Sequence, residues 1–448
     1  MEKSTLTSQS GIGKRIDLLD ALRMLAALSV VLYHYAFRST GSDGLTNVSV
    51  PSISHIARYG YIGIYLFFII SGFVIACSTE NRTITAFVLS RFVRIYPGFL
   101  FCMTTTALAI VLFADPNFVI TWEKWAYNLL IDAPRFRQGF VDGVYWTLVY
   151  ELTFYLWIAL LLGAGVFPRW IGQIILVWLA VSVLNETIVR SPLLNAYLLT
   201  DQSGFFALGL AVYRLYRREQ WPIGFEGMPL VNGSWLGKTR YWTGFARVRC
   251  LQVYPLAVFG LALAVAVFQA LQLLPQLSKN YSVTFDPIIV STLVVGSTAL
   301  VAVAPFVPRF STIAPITMVM GGLSYPLYLL HANIGFLIFN KVGDAISHPV
   351  LITGTAVAMV AISWAAWTWV ERPAQITLRS HLRRALETKS SQPLESDAHG
   401  LDRVGSEQCR LAHAVMTQNS DKLAFVDGEA DPIEDRRYGH SLCATPRH

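Results

Sequence analysis

Apolar runs long enough to cross about 30 Å of hydrocarbon recur along this chain, at about 18–37, 60–78, 96–114, 145–167, 170–188, 201–216, 251–273, 285–305, 316–338 and 349–370. Few folds are open to such a chain. Each run is long enough to cross the bilayer as a helix. The sequence therefore predicts an all-α, multi-pass membrane protein of about ten transmembrane helices. The weakest run, 201–216, is short and opens on Asp201. Composition agrees: 448 residues, 54% hydrophobic and only 14% charged, with a mean hydropathy of +0.48, are too apolar for an ordinary soluble protein.

Sorting the linker Lys and Arg by alternating side puts about fifteen on the N-terminal side and about eight opposite. The first set includes Lys14, Arg15, Arg91, Arg94, Arg214, Arg217, Arg218, Arg247 and Arg249; the second includes Arg58, Arg135, Arg137 and Lys341. Both termini are thus expected in the cytoplasm. The same bias accounts for the net charge of +7, and no basic stripe with interleaved aromatics marks a nucleic-acid surface. Residues 1–17 read as a cytoplasmic segment, 18–373 as the transmembrane domain and 374–448 as a largely disordered cytoplasmic tail. The insert at about 217–250, rich in Gly and Trp, suits the membrane interface. Lys14-Arg15 before an apolar run has the look of a secretory signal, but Arg23 interrupts the run and no small-x-small cleavage site follows, so the helix is read as retained. Cys77, Cys102, Cys250, Cys409 and Cys443 form no CxxC pair and no zinc-like spacing; neither a disulfide framework nor a metal site is expected.

Ionisable side chains inside a membrane segment are costly unless they face a bundle interior or a wet cavity, which makes each a functional candidate. Arg23 and His34 stand eleven residues apart, three turns plus about 20°, so both lie on one face with a rise of about 16 Å between them. Asp20, one turn before Arg23, is placed to pair with it. A snorkelling arginine and an interfacial histidine fit the same spacing. Glu151 follows Trp146 early in the fourth helix and is expected at the depth of His34, where a carboxylate would fix the imidazole tautomer and raise its basicity; a structural pair with an arginine fits equally. His331 sits in the ninth helix after Gly321, Gly322 and Pro326, a place that suits a packed histidine as well as a catalytic one. Arg91 and Arg94, one turn apart just before a helix that Pro97 is expected to start, form a candidate anion clamp or a plain positive-inside anchor. Ser71, with Gly60, Gly63 and Gly72, lies on a helix that permits close approach of a neighbour or a ligand.

Taken together, these stretches resemble the membrane-bound acyltransferase 3 family, bacterial O-acyltransferases of surface glycans and secondary metabolites. The resemblance rests on RIDLLDALRMLAALSVVLYHY, GYIGIYLFFIISGF, RFVRIYP, YWTLVYELTFY, LSYPLYLLH and WVERP, in the family's order from about 15 to 373. It implies that His34 is the essential histidine, Arg23 its partner in the same helix, Arg91 and Arg94 the arginine pair, and Glu151 the carboxylate after the Trp146 motif. It also implies a co-substrate, cytoplasmic acyl-CoA and usually acetyl-CoA, no metal, and an acceptor hydroxyl on a carbohydrate or glycosylated molecule across the bacterial cytoplasmic (inner) membrane. Thr147 and Pro326 stand where the family more often has Ser. The insert and the tail are not covered.

On this reading the arginines hold the anionic nucleotide of CoA while His34, supported by Glu151, takes the proton of the acceptor hydroxyl as it attacks the thioester; the rival is a covalent acyl-histidine that passes the group on in a second step. A secondary transporter of an anionic or sugar-like solute is the main alternative, since Gly/Pro-broken helices with intramembrane charges suit that class too. A membrane sensor has only the tail in its favour. With no extracytoplasmic domain after the last helix, an acceptor that reaches the membrane itself is expected.

Overall fold

Helices make up all the secondary structure among the described residues of the computed structural model, which are 15–40, 45–80, 82–217, 240–308 and 311–390. In chain order they are α1 (Asp17–Ala36), α2 (Pro51–Ala57), α3 (Ile62–Ser78), α4 (Ile84–Phe113), α5 (Trp122–Asn128), α6 (Trp146–Gly163), α7 (Ile171–Leu184) and α8 (Pro192–Leu198). There follow α9 (Ser203–Tyr216), α10 (Arg240–Gln272), α11 (Leu274–Tyr281), α12 (Pro287–Val303), α13 (Ala314–Val342), α14 (His348–Ala366) and α15 (Arg372–Ser390). Helix α15 takes up the first part of the polar C-terminal stretch; the rest of it, and residues 218–239 of the insert, lie outside the described residues.

Among the described residues, nine segments are long and apolar enough to span a membrane, so the chain is a multi-pass, all-α membrane protein. They carry large apolar side chains outward, such as Leu112, Ile188 and Ile288, each more than two-thirds exposed, as a lipid-facing surface should. The tenth expected span, 201–216, is α9, which has only 14 residues, about 21 Å of rise. It is tolerated because its residues from Ser203 to Tyr213 are buried by protein and meet no lipid. Its start is stitched to neighbours: Gln269 of α10 donates to the Thr200 carbonyl (2.6 Å) and to Ser203 (2.9 Å), and its side-chain oxygen accepts from the Gly204 N–H (2.9 Å). Non-helical backbone at this depth is satisfied by side chains in place of water. At its other end Tyr213 and Arg217 donate to Glu80, just beyond α3, at 2.6 and 2.8 Å.

Helix–helix attraction in lipid comes from close packing, so small residues mark the crossings. A Cβ on Gly72 of α3 would run into the Phe206 carbonyl of α9, and one on Gly209 into the Ile69 carbonyl, so the two backbones touch. The seam between α1 and α13 positions the candidate site. These helices lie in extensive contact. Asp20 packs on Gly321 at one end and Tyr35 on Gly335 at the other, where a Cβ would clash in each case.

One expected boundary needs correction. Helix α4 does not begin near residue 96; it begins at Ile84, where Thr83 accepts a hydrogen bond from the Ala86 N–H (3.3 Å), and Pro97 lies inside it. Prolines are tolerated within membrane helices when neighbours re-satisfy the freed backbone. Arg91 and Arg94 therefore stand about two and three turns into a helix, beyond the first turn where a helix-start dipole acts.

Candidate active site

Two polar stations lie along α1. The first gathers around its opening turns, here termed the near end. Arg23 Nη1 donates to Asp20 Oδ1 at 3.0 Å, the pairing that the one-turn spacing predicts. Arg94 and Glu151 act on Arg23 electrostatically, as do Asp20 and Tyr155. Arg91 is buried, donates to Ser90 (3.3 Å), lies 6.0 Å from the Phe87 ring centroid and acts on Tyr155. Glu151 accepts from Ser71 of α3 at 3.1 Å and makes a short hydrogen bond with Tyr155 one turn on. Glu371, from the WVERP stretch, is buried with its Oε1 accepting from Gln375 (2.9 Å) and its carboxylate against Gly98. Gln375 also donates to the Arg94 carbonyl at 3.3 Å, which holds this part of α4. Three arginines from two helices thus interact, directly or through Tyr155, with the carboxylates of Asp20 and Glu151, and Glu371 lies beside the same stretch of α4.

The second station is at the far end of α1, and its hydrogen bonds assign a tautomer. His331 Nδ1 faces the carbonyl oxygens of Tyr328 (2.9 Å) and Leu327 (3.1 Å), so it carries the proton and Nε2 of that ring is an acceptor. That Nε2 lies 3.1 Å from His34 Nδ1, which also faces the Val30 carbonyl at 2.9 Å. With acceptors on both sides, His34 Nδ1 is an N–H, and the lone pair of His34 remains on Nε2. Arg38 Nη1 lies 3.3 Å from that Nε2 and donates to it. Both imidazoles are buried, with ring centroids 4.8 Å apart.

Neighbours fix the pair. Tyr35 donates to the His331 carbonyl (2.6 Å), and Thr147 donates to Tyr328 (2.9 Å), whose ring lies 5.9 Å from His331. A serine at 147 would place its hydroxyl equally well, which explains why this departure from the family pattern is tolerated. Asp142, buried just before α6, accepts from the N–H groups of Val144 (3.2 Å) and Asn333 (2.9 Å) and acts on Arg38 across the site. Burial pushes its carboxyl up to about 6 against the pull of those donors and of Arg38.

The expected juxtaposition of Glu151 with His34 is not found. Neither ring nitrogen of His34 meets Glu151; the carboxylate belongs with Arg23, and His331 occupies the place assigned to it. Helix lengths explain the difference: Glu151 lies five residues, about 7.5 Å, inside α6, whereas His34 lies two residues from the end of α1. Trp146 opens α6 and packs edge-on against Tyr150 (5.2 Å), away from either station's hydrogen bonds. The residue-level reading missed Arg38, Asp142, Tyr155 and Glu371. Arg38 was legible, being one turn after His34, and so was Tyr155, one turn after Glu151.

Among the described residues no group of three or more His, Cys, Asp or Glu is placed to hold a metal ion. Cys77 and Cys102 are free thiols. With two separated stations, one bringing guanidinium forks together with carboxylates and one carrying an imidazole lone pair, the arrangement suits anion binding at one and proton transfer at the other.

Comparison with known proteins bears on which chemistry this is. The family described as acyltransferase domain matches residues 16–368. Acyltransferase MdmB of Streptomyces mycarofaciens is 30% identical over 164 residues, covering 35% of this chain and 39% of that protein. Nodulation protein 10 of Rhizobium leguminosarum bv. viciae is 28% identical over 171 residues, covering 34% of this chain and 45% of that protein. The chain spans less than half the length of either relative in these matches. No solved structure matches it.

Proposed function

Because this chain belongs to the acyltransferase 3 family and is thereby a membrane acyltransferase, we propose that it transfers an acyl group, acetyl in the first instance, from cytoplasmic acyl-CoA to a hydroxyl of a carbohydrate or glycosylated acceptor on the other side of the bacterial inner membrane. The near end of α1 is then the cytoplasmic end. The observation that carries the reading is the division of α1 into two stations on one face, Arg23 and His34, about 16 Å apart.

Arg91, Arg94 and Arg23 hold the phosphates of the donor, for which guanidinium forks are the suited group. Asp20 and Glu151 offset part of that charge and keep the arginines in place before the anion arrives. At the other station His34 Nε2 removes the proton of the acceptor hydroxyl as its oxygen attacks the thioester carbon. His331 holds His34 Nδ1–H, the role that a carboxylate fills in catalytic triads, and so keeps the lone pair on the nitrogen that faces the acceptor. When the C–S bond breaks, His34 returns the proton to the departing thiolate. The histidine's lone pair also permits a covalent acyl-histidine route, in which Nε2 is the nucleophile.

The test uses membranes from cells expressing the wild type or His34→Ala, supplied with radiolabelled acetyl-CoA and a host surface-glycan extract. Label enters glycan, with matching loss of thioester, in the wild type alone. Equal transfer by both proteins overturns the role of His34; wild-type membranes that move label across as unmodified solute without thioester loss favour the transporter.

A further inference from the structure

We propose that Arg38 is a further catalytic residue, the cation that receives the thioester carbonyl oxygen as it becomes an oxyanion. The inference deepens the acyl-transfer reading and rests on it.

Three observations carry it. First, the guanidinium is aimed at the reacting position: Nη1 lies 3.3 Å from His34 Nε2, the nitrogen on which the tautomer accounting leaves the lone pair. Two hydrogen-bonding atoms at that separation can each reach about 3 Å to the small group of oxygens that meets between them, the hydroxyl on the base and the carbonyl oxygen on the cation. Second, the base of the side chain is anchored. Arg38 directly follows the last turn of α1, and the neighbouring Ser39 hydroxyl is fixed on the Tyr35 carbonyl at 2.7 Å and the Val48 carbonyl at 3.0 Å. Third, a buried carboxylate acts on it across the site. That carboxylate, of Asp142, is itself held by the backbone N–H groups of Val144, just before α6, and of Asn333 in α13.

The dyad by itself lacks this function. His331 is a neutral ring whose one N–H is committed to carbonyl oxygens, and His34 Nδ1–H points to His331, so neither imidazole offers an N–H to an oxyanion at the start of the reaction. In the step proposed, the acceptor O–H bond breaks and its proton passes to His34 Nε2 while the new C–O bond forms. The carbonyl π pair moves onto oxygen, and Arg38 turns its N–H from Nε2 to that oxygen. The pair then returns to re-form C=O, the C–S bond breaks, and the thiolate leaves with the proton from Nε2. Nothing is oxidised or reduced.

Removing one oxyanion donor costs about 10²–10³ in kcat. The experiment measures thioester loss from acetyl-CoA and label transfer to a surface-glycan extract for detergent-purified wild type, Arg38→Gln, Arg38→Lys and Arg38→Ala, each first checked for a monodisperse elution profile. Arg38→Gln is expected to lose at least about 100-fold in kcat with both KM values within about threefold of wild type. Arg38→Lys retains part of the rate, and guanidinium added to Arg38→Ala restores a measurable fraction, which a structural role would not allow. Unchanged kcat in Arg38→Gln overturns the proposal, as does a rise confined to the acceptor KM, which would make Arg38 a binding group. Wild-type protein that leaves the thioester intact overturns the acyl-transfer reading itself, and this proposal with it.

Discussion

At the scale of single residues, His331 is the group whose contribution can be separated from packing. It touches no reacting atom on the proposed reading and acts only through His34 Nδ1. His331→Ala is expected to lower kcat by about 10- to 100-fold with little change in the KM for acetyl-CoA, because the rotamer and tautomer of the base are then unspecified. His331→Gln, whose side-chain oxygen can accept from His34 Nδ1–H, is expected to keep more activity than the alanine variant; steady-state kinetics on the two proteins decide it, and equal losses would assign His331 to packing alone. This pairing was not readable from spacing. Residues 34 and 331 are almost three hundred positions apart, and only the lie of α1 against α13 joins them. The Asp20–Arg23 bond was readable, because one helical turn fixes it. Glu151 failed for an arithmetic reason: its depth depends on where α6 begins, and an error of a turn moves a carboxylate by about 5 Å from one station toward the other.

The elements show which sequence signals are dependable and which depend on surroundings. Nine apolar runs appear as membrane-length helices, because length and hydropathy act within each segment. The two departures arise where neighbours overrule local preference. Pro97, expected to start a helix, lies within α4, and α9 is too short for a bilayer yet stable because α3, α10 and Gln269 enclose it. The crossing of α3 and α9 is therefore the place where the bundle should be most sensitive to volume. Gly209→Val, which sets branched carbons against the Ile69 carbonyl, is expected to destabilise the protein by about 1–3 kcal/mol and to lower its thermal midpoint in detergent. Gly260→Ala and Gly296→Ala, where an added Cβ meets nothing within 4 Å, should leave the midpoint unchanged or slightly raised. A Gly209→Val protein that melts with the wild type would show that this crossing adjusts freely.

For the whole molecule, orientation is what joins the two stations to a direction of transfer. The excess of Lys and Arg on the N-terminal side predicts that loops at the far end of α1 face outward. Ser282, after α11, and Ser311, before α13, are both exposed and lie on opposite sides of α12. On a background with native cysteines replaced, Ser282→Cys should react with a membrane-impermeant maleimide in intact cells, and Ser311→Cys only after permeabilisation. The reverse pattern would place the arginines outside, beyond the reach of a cytoplasmic donor. Hydropathy alone could mark nine of the ten expected spans and bias their direction, whereas the grouping of α1, α4, α6 and α13 around the stations depends on packing between segments distant in sequence.

The gathering of Arg23, Arg91 and Arg94 has an electrical consequence. A passage that admits a thioester also admits water, and a file of water conducts protons through any membrane that stores a potential. Guanidinium charge in excess of its carboxylate partners, in low-dielectric surroundings, repels hydronium and alkali cations while it attracts a phosphate. If acyl-CoA is the donor as proposed, the same three side chains would let it enter while keeping the membrane an insulator, so that acyl groups cross without a leak of current.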